Sequence, residues 1–67
     1  MSRAGVVVEN VVFDVPELAE YLRVSNKWVY ERTCHKEIPH YKIGGTIRFR
    51  KNEIDSWMNE SKVPVTL

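Results

Sequence analysis

The sequence contains a single cysteine and no long apolar run. One cysteine excludes an internal disulfide, which fits a reducing compartment, and Cys34 is predicted to be a small buried side chain rather than a reactive thiol. No stretch approaches the roughly 20 apolar residues of a membrane span. The short valine run that follows Arg3 lacks the length of a signal peptide. These absences favour a soluble, cytoplasmic chain.

Motifs for catalysis and metal binding are also missing. There is no phosphate loop, no nucleophile elbow and no Ser-His-Asp set with supporting positions. Cys34, His35 and His40 lie close together in the sequence, but they have no fourth ligand at a recognised zinc spacing. Sixty-seven residues have room for one domain and little room for an enzyme cleft. We therefore expect a protein that is not an enzyme and that uses no metal and no cofactor.

The charged residues are strongly segregated, although the net charge is only +1. The segment from Arg23 to Lys51 has eight basic and two acidic residues, a net charge of +6. The rest of the chain has two basic and seven acidic residues, a net charge of −5. This pattern predicts one cationic face, as on a phosphate-binding surface. A solvated surface with chance segregation is the alternative interpretation.

A first helix is predicted from about Val15 to Leu22. Asp14 is its expected N-cap, Pro16 stands where no N–H is needed, and Glu17 is favourable near the positive end of the helix dipole. Apolar residues recur every three or four positions and form one core-facing stripe. This stripe consists of Val15, Leu18, Ala19 and Leu22.

A second helix is predicted from its N-cap, Ser25, to Cys34. The three-residue spacing between the two helices, with Val24 filling the corner, is typical of a helix-turn-helix. Val29 and Thr33 should face the core. The opposite face should be polar and positively charged.

The polar face of the second helix carries Asn26, Lys27 and Tyr30. A helix that offers donors from its N-terminal end suits a DNA major groove. Asn26 is able to pair bidentately with adenine, and Lys27 is able to donate to guanine or to a phosphate. We therefore assign base readout to Asn26 and Lys27.

A β-hairpin is predicted next, with Gly44-Gly45 as its turn. Three apolar residues of the strands are expected to face the core: Ile43, Ile47 and Phe49. Three basic residues are expected to line the open face: Lys42, Arg48 and Arg50. In the alternative interpretation, these charges serve solubility alone.

A last helix is predicted to open with Lys51 or Asn52 as its cap and to bury one stripe. The expected stripe consists of Ile54, Trp57 and Met58. The predicted organisation is an N-terminal arm at residues 1–12, loose or extended through its valines, a domain at 13–60, and a flexible tail at 61–67. Apolar residues of the tail, up to Leu67, could serve as a short docking strand. The fold class is α+β, a small winged helix-turn-helix.

Several short motifs support a family resemblance between Phe13 and Met58. They are Val24-Ser25, Trp28-Val29-Tyr30, Ile38-Pro39, Lys42-Ile43-Gly44, Arg48-Phe49-Arg50, and Glu53-Ile54 with Trp57. In this order and at this spacing, the chain resembles the excisionase-type DNA-binding domains, which are similar to the winged-helix part of MerR-type regulators. Two departures are His35-Lys36 where glycine is common after the second helix, and Gly45-Thr46 where the wing tip often has Arg or Lys.

The resemblance implies that Asn26, Lys27 and Tyr30 meet the major groove and that the hairpin is a wing that reaches the DNA backbone or the minor groove. Backbone contacts are assigned by this resemblance together with side-chain chemistry. They are Ser25, Tyr30, Lys42, Gly44, Gly45, Thr46, Arg48, Arg50 and Lys51.

The function implied by the resemblance is sequence-specific binding of double-stranded DNA by an excisionase, a factor that sets the direction of recombination in a phage, prophage or mobile element. Implied partners are double-stranded DNA, a tyrosine recombinase (integrase) or RNA polymerase, and further copies of the chain on repeated sites. A small transcriptional regulator with the same surface is one alternative. A protein-interaction module that retains the winged fold is another, motivated by the low net charge. The expected location is the cytoplasm, in association with the nucleoid.

Overall fold

The computed structural model describes residues 11–65, which form three helices and three strands. In chain order these elements are β1 (Val12–Phe13), α1 (Val15–Leu22), α2 (Asn26–Cys34), β2 (Tyr41–Ile43), β3 (Thr46–Arg50) and α3 (Lys51–Glu60). Strand β3 lies between β1 and β2 in an antiparallel sheet. The predicted extended valines at 6–8 and Leu67 of the predicted tail lie outside the described residues.

Helix α1 has the predicted bounds and the predicted N-cap. The Asp14 carboxylate accepts the Glu17 backbone N–H at 2.8 Å, and the Glu17 carboxylate accepts the Asp14 N–H at 2.9 Å. This reciprocal pair is a capping box, which satisfies two N–H groups that the helix leaves free. The predicted stripe is confirmed, since Val15, Leu18 and Ala19 are buried and Leu22 packs against them.

The turn between α1 and α2 is built on a left-handed residue. Arg23 has φ 61° and ψ 46°, and the Val24 N–H donates to the Ala19 carbonyl at 2.9 Å. This is the arrangement of a Schellman motif. Val24 packs against the core as expected, and Ser25 Oγ accepts the Trp28 N–H at 3.0 Å, which confirms it as the N-cap of α2.

Helix α2 also ends in a Schellman motif. Lys36 has φ 60°, its N–H donates to the Thr33 carbonyl at 2.9 Å, and the Glu37 N–H donates to the Arg32 carbonyl at 2.9 Å. Thr33 is buried as predicted, but Cys34 is exposed, so its predicted burial is wrong. Successive side chains of an α-helix point about 100° apart. Because Thr33 points into the core, the next side chain, Cys34, points away from it.

The hairpin register corrects the predicted faces of the wing. Lys42 pairs with Ile47, and Ile43 pairs with Thr46. Directly opposed residues of an antiparallel pair share a face, and Ile47 packs against the core next to buried Phe49. Lys42 therefore lies on the side of the sheet that faces the helices, and the prediction that it shares a face with Arg48 and Arg50 is wrong. Ile43, predicted in the core, is 61% exposed.

Helix α3 follows strand β3 without a loop, so its cap differs from the prediction. Arg50 is the N-cap and makes no capping bond with its side chain, whereas Lys51 and Asn52, the predicted caps, lie inside the helix. The Lys51 N–H donates to the Val11 carbonyl at 3.0 Å. One free N–H at the start of the helix is thus satisfied by backbone, while no side chain caps the helix.

The core lies where α1, α2 and α3 meet the central strand. Its buried members are Val15, Leu18, Ala19, Val29, Ile38, Phe49 and Ile54. Trp57 packs against this cluster as predicted, but Met58 is 44% exposed, so its predicted place in the core stripe is wrong. Residues 61–65 have neither helix nor strand. The architecture is the α+β winged helix-turn-helix predicted from the sequence.

Candidate nucleic-acid interface

The N-terminal end of α2 presents two exposed polar side chains. Ser25 caps the helix, which holds Asn26 and Lys27 in its first turn. Lys27 Nζ lies 4.0 Å from Glu31 Oε2, with 84% of the lysine side chain exposed. An exposed pair at this distance contributes little stability, so Lys27 retains freedom to bind another group. The structure thus brings the two residues assigned to base readout together at one exposed helix end.

Tyr30 of α2 faces the wing across a cleft. Its side chain is 54% exposed and lines a cleft of about 330 Å³ together with Gly45, Thr46 and Arg48 of the hairpin. The N-terminal end of α1 forms the remaining wall. The Arg48 guanidinium donates to the Ile47 carbonyl at 2.8 Å, which orients it while leaving further N–H donors for another acceptor.

The wing turn depends on its two glycines. Gly44 and Gly45 have φ 56° and 86°, as a two-residue type I′ hairpin turn requires at both central positions. A Cβ at either glycine would meet no atom within 4 Å, so glycine is needed here for the backbone angle rather than for space. Thr46 Oγ1 donates to the Ile43 carbonyl at 2.6 Å and closes the turn.

A second cleft, which we call the α2–β2 cleft, lies between α2 and the hairpin. Tyr30 and Ile47 line this cleft as well as the first, and Lys42 of β2 and Lys36 lie at its walls. Lys42 was predicted as a backbone contact from its charge. Lys36 was not predicted to contact DNA, although its position directly after a helix that was predicted to face the major groove was a usable signal.

Arg50 and Lys51 interact with other side chains of the protein. The Arg50 guanidinium carbon lies 5.4 Å from the centre of the Tyr41 ring. Lys51 Nζ lies 3.0 Å from Asp55 Oδ2 and 5.6 Å from the centre of the Tyr21 ring. Neither residue lines the two clefts beside Tyr30.

The carboxylate of Asp55 is the acceptor at the centre of the Lys51 contacts. Tyr21 Oη donates to Asp55 Oδ1 at 2.6 Å. The hydrogen bond from Tyr21 and then that from Lys51 hold the pKa of Asp55 below its ordinary value. The Asp55 carboxylate in turn raises the pKa of Lys51. The Lys51 ammonium group is thus held in an ion pair with Asp55 within the protein.

Some basic residues of the interface have no acidic partner. Between residues 11 and 65, the ion pairs within 4.0 Å are Lys27–Glu31, Arg32–Glu37 and Lys51–Asp55. Lys36, Lys42 and Arg48 make none of these pairs, and all three line the clefts on either side of Tyr30. The positive charge that is not neutralised within the described chain is therefore concentrated around α2 and the wing.

A helix-turn-helix domain family matches residues 12–62, which is most of the chain. The chain belongs to this helix-turn-helix family. Comparisons with curated proteins and with solved structures gave no significant match. Membership in a helix-turn-helix family supports DNA binding, and the matched range contains α2, both clefts and the wing.

Two further observations describe this helix-turn-helix domain. No helix within residues 11–65 is both long and apolar enough to span a membrane. Across the same residues, His, Cys, Asp and Glu side chains form no group of three that could hold a metal ion. His40 instead makes a local contact, with Nδ1 2.7 Å from the Ile38 carbonyl oxygen.

Proposed function

We propose that this helix-turn-helix domain binds double-stranded DNA in a sequence-specific manner. Asn26 and Lys27 contact base edges in the major groove, and the wing holds the phosphate backbone. The observation that carries the proposal is the position of the cations without acidic partners. Lys42 and Arg48 of the wing line clefts on either side of Tyr30, the same residue that continues the exposed face of α2.

The contacts divide into those that read sequence and those that fix register. The amide of Asn26 matches the N6 and N7 edge of adenine, and Lys27 suits guanine O6 or N7. The proposed backbone contacts are the hydroxyls, glycine N–H groups and cations of α2 and the wing: Ser25, Tyr30, Lys42, Gly44, Gly45, Thr46 and Arg48. We expect smaller contributions from Arg50 and Lys51 because their side chains already have partners within the protein.

For the cellular role, we propose an excisionase-type factor of a phage or mobile element that acts with a tyrosine recombinase. The basis is the resemblance of the motifs and the small size of the interface. One module contacts few base pairs, so useful specificity requires neighbouring copies or a partner protein. The protein would then be a non-enzymatic, nucleoid-associated component of the cytoplasm. A transcriptional regulator working with RNA polymerase would use the same surface.

Selection of preferred sequences from random duplexes, followed by a salt titration on the best one, tests DNA binding. Contact with about 4 to 6 phosphates should make log K fall against log salt with a slope near −4 to −5. If no duplex is bound at low salt, the DNA proposal is overturned and the protein-interaction module becomes the better explanation.

The selected sequence also separates the two cellular roles. Direct repeats of this sequence beside a recombinase attachment site, with stimulation of excision in a reconstituted reaction, would support the excisionase role. Repeats at a promoter, with an effect on transcription and none on excision, would support the regulator instead.

A further inference from the structure

The α2–β2 cleft has the electrostatic character of an anion site. Its volume is about 320 Å³, and its walls carry ammonium groups from two separate elements, Lys36 after α2 and Lys42 in β2. None of the described residues that line it is acidic. Two cations that line one cleft without a carboxylate repel each other, and an anion placed between them would relieve that repulsion.

Thr33 contributes a second, independent feature to the same cleft. Thr33 is one of the residues that line the cleft, and it is only 5% exposed. Its Oγ1 is buried and has no hydrogen-bond partner among the described residues. Buried hydroxyl groups are nearly always paired with protein or with water, so Thr33 Oγ1 is an unsatisfied polar atom in a residue of the cleft wall.

Two of the carbonyl groups at the C-terminal end of α2 are already paired, which reduces the repulsion that a nearby anion would meet there. The last turn of a helix normally exposes carbonyl oxygens and carries partial negative charge. Here the carbonyls of Arg32 and Thr33 accept the N–H groups of Glu37 and Lys36. Lys36 occupies the left-handed position of this motif, where glycine is usual, and so adds a positive charge at the helix end.

We infer that the α2–β2 cleft binds one backbone phosphate of duplex DNA, held by the ammonium groups of Lys36 and Lys42 together. The inference rests on the proposed DNA binding and adds Lys36 to the contact surface. Ammonium–phosphate contacts are strong, charge-assisted hydrogen bonds. A phosphate held at the C-terminal part of α2 would complement the contacts at its N-terminal end and would fix the angle of the helix in the groove.

The first test compares DNA binding by Lys36→Gly, by Lys42→Ala and by the double variant over a range of salt concentrations. Lys62→Ala is the control, because this exposed lysine lies outside the cleft. Each single substitution in the cleft should weaken binding about 5- to 10-fold. The salt slope of the double variant should fall by about 0.9 rather than 1.8, because the two lysines share one phosphate.

Lys36→Gly is chosen because glycine favours the left-handed backbone of this position. The variant should be at least as stable as the wild type, so weaker DNA binding could not be attributed to unfolding. If Lys36→Gly or Lys42→Ala binds as tightly as Lys62→Ala, the shared phosphate site is overturned.

A second test identifies the phosphate itself. Duplexes that carry one neutral methylphosphonate at successive positions should reveal a single position where wild-type affinity falls and where both lysine variants lose nothing further. Effects that belong to two different positions would overturn the shared site. DNA binding that is insensitive to both lysines would overturn only this inference, whereas the lack of wild-type binding to any duplex would overturn the proposed function.

Discussion

Tyr21 in α1 donates a hydrogen bond of 2.6 Å to the carboxylate of Asp55 in α3, 34 residues away in the chain. Lys51 Nζ lies 3.0 Å from the other oxygen of the same carboxylate. The bond from Tyr21, and then the contact with Lys51, lower the pKa of Asp55, and the Asp55 carboxylate raises the pKa of Tyr21. The three groups therefore stabilise one another only while Asp55 is ionised and Tyr21 is protonated.

The first prediction concerns acid stability. Because the pKa of Asp55 is lower in the folded state than its ordinary value of 3.8, its contribution to stability is present above that value and is lost as the pH falls through the lower, folded pKa. Asp55→Asn should therefore show a smaller decrease in the free energy of unfolding between about pH 5 and pH 2 than the wild type. Urea denaturation at several pH values measures this difference.

The control for this experiment is Glu60→Gln. Glu60 is an exposed carboxylate in α3 with no ion pair or side-chain hydrogen bond among residues 11–65. Its substitution should leave the acid dependence close to that of the wild type. Equal acid dependence in Asp55→Asn and the wild type would show that the cluster does not stabilise the fold.

The second prediction concerns the centre of the core. Phe49 is fully buried, and its removal should destabilise the domain by about 3 to 5 kcal/mol. Small domains have little stability in reserve, so Phe49→Ala should be largely unfolded by circular dichroism at room temperature. Met58→Ala is the control, since Met58 is 44% exposed and its loss should change stability by about 0.5 kcal/mol or less. A cooperatively folded Phe49→Ala domain would contradict this view of the core.

The third prediction concerns the backbone after α2. Left-handed φ angles cost a residue with a Cβ about 1 to 2 kcal/mol, and glycine avoids this cost but loses more backbone entropy on folding. With both effects, Lys36→Gly should raise the free energy of unfolding by about 0.5 to 1 kcal/mol. Lys36→Ala is the matched control, because it removes the charge and keeps the strain. A gain in both variants would implicate charge rather than backbone conformation.

Much of the fold could be predicted because its signals are local. Asp14 and Ser25 cap their helices through side-chain bonds within three residues, and Gly44-Gly45 fixes the hairpin turn through backbone angles alone. Hydrogen bonds and φ preferences of this kind depend on neighbouring residues. The helix boundaries of α1 and the position of the wing therefore followed from short stretches of sequence.

One error was local, and the others arose where distant elements decide the outcome. A two-residue turn pairs Ile43 with Thr46 and Lys42 with Ile47. Paired residues share a face of the sheet, so the inward position on β2 belongs to Lys42 and not to Ile43. At the start of α3, the hydrogen bond from the Lys51 N–H was missed because its acceptor, the Val11 carbonyl, comes from the other end of the described chain. Lys51 and Asp55 similarly meet Tyr21 only through the tertiary fold.

The last prediction separates base readout from backbone contact. Asn26 lies in the exposed first turn of α2, whereas Arg48 lies on the wing with its guanidinium held against the Ile47 carbonyl. Asn26→Ala should cost about 1 to 3 kcal/mol on the selected sequence and little on random DNA. Arg48→Ala should weaken binding to both duplexes alike and reduce the salt slope by about one.

Each variant is the control for the other, because both remove one polar side chain from the same proposed surface. Affinities for the selected and random duplexes at several salt concentrations give both quantities from one set of titrations. Equal losses on the two duplexes in Asn26→Ala would exclude base readout by this residue. A loss confined to the selected duplex in Arg48→Ala would instead place sequence recognition on the wing, because a phosphate contact cannot distinguish one sequence from another without a difference in DNA shape.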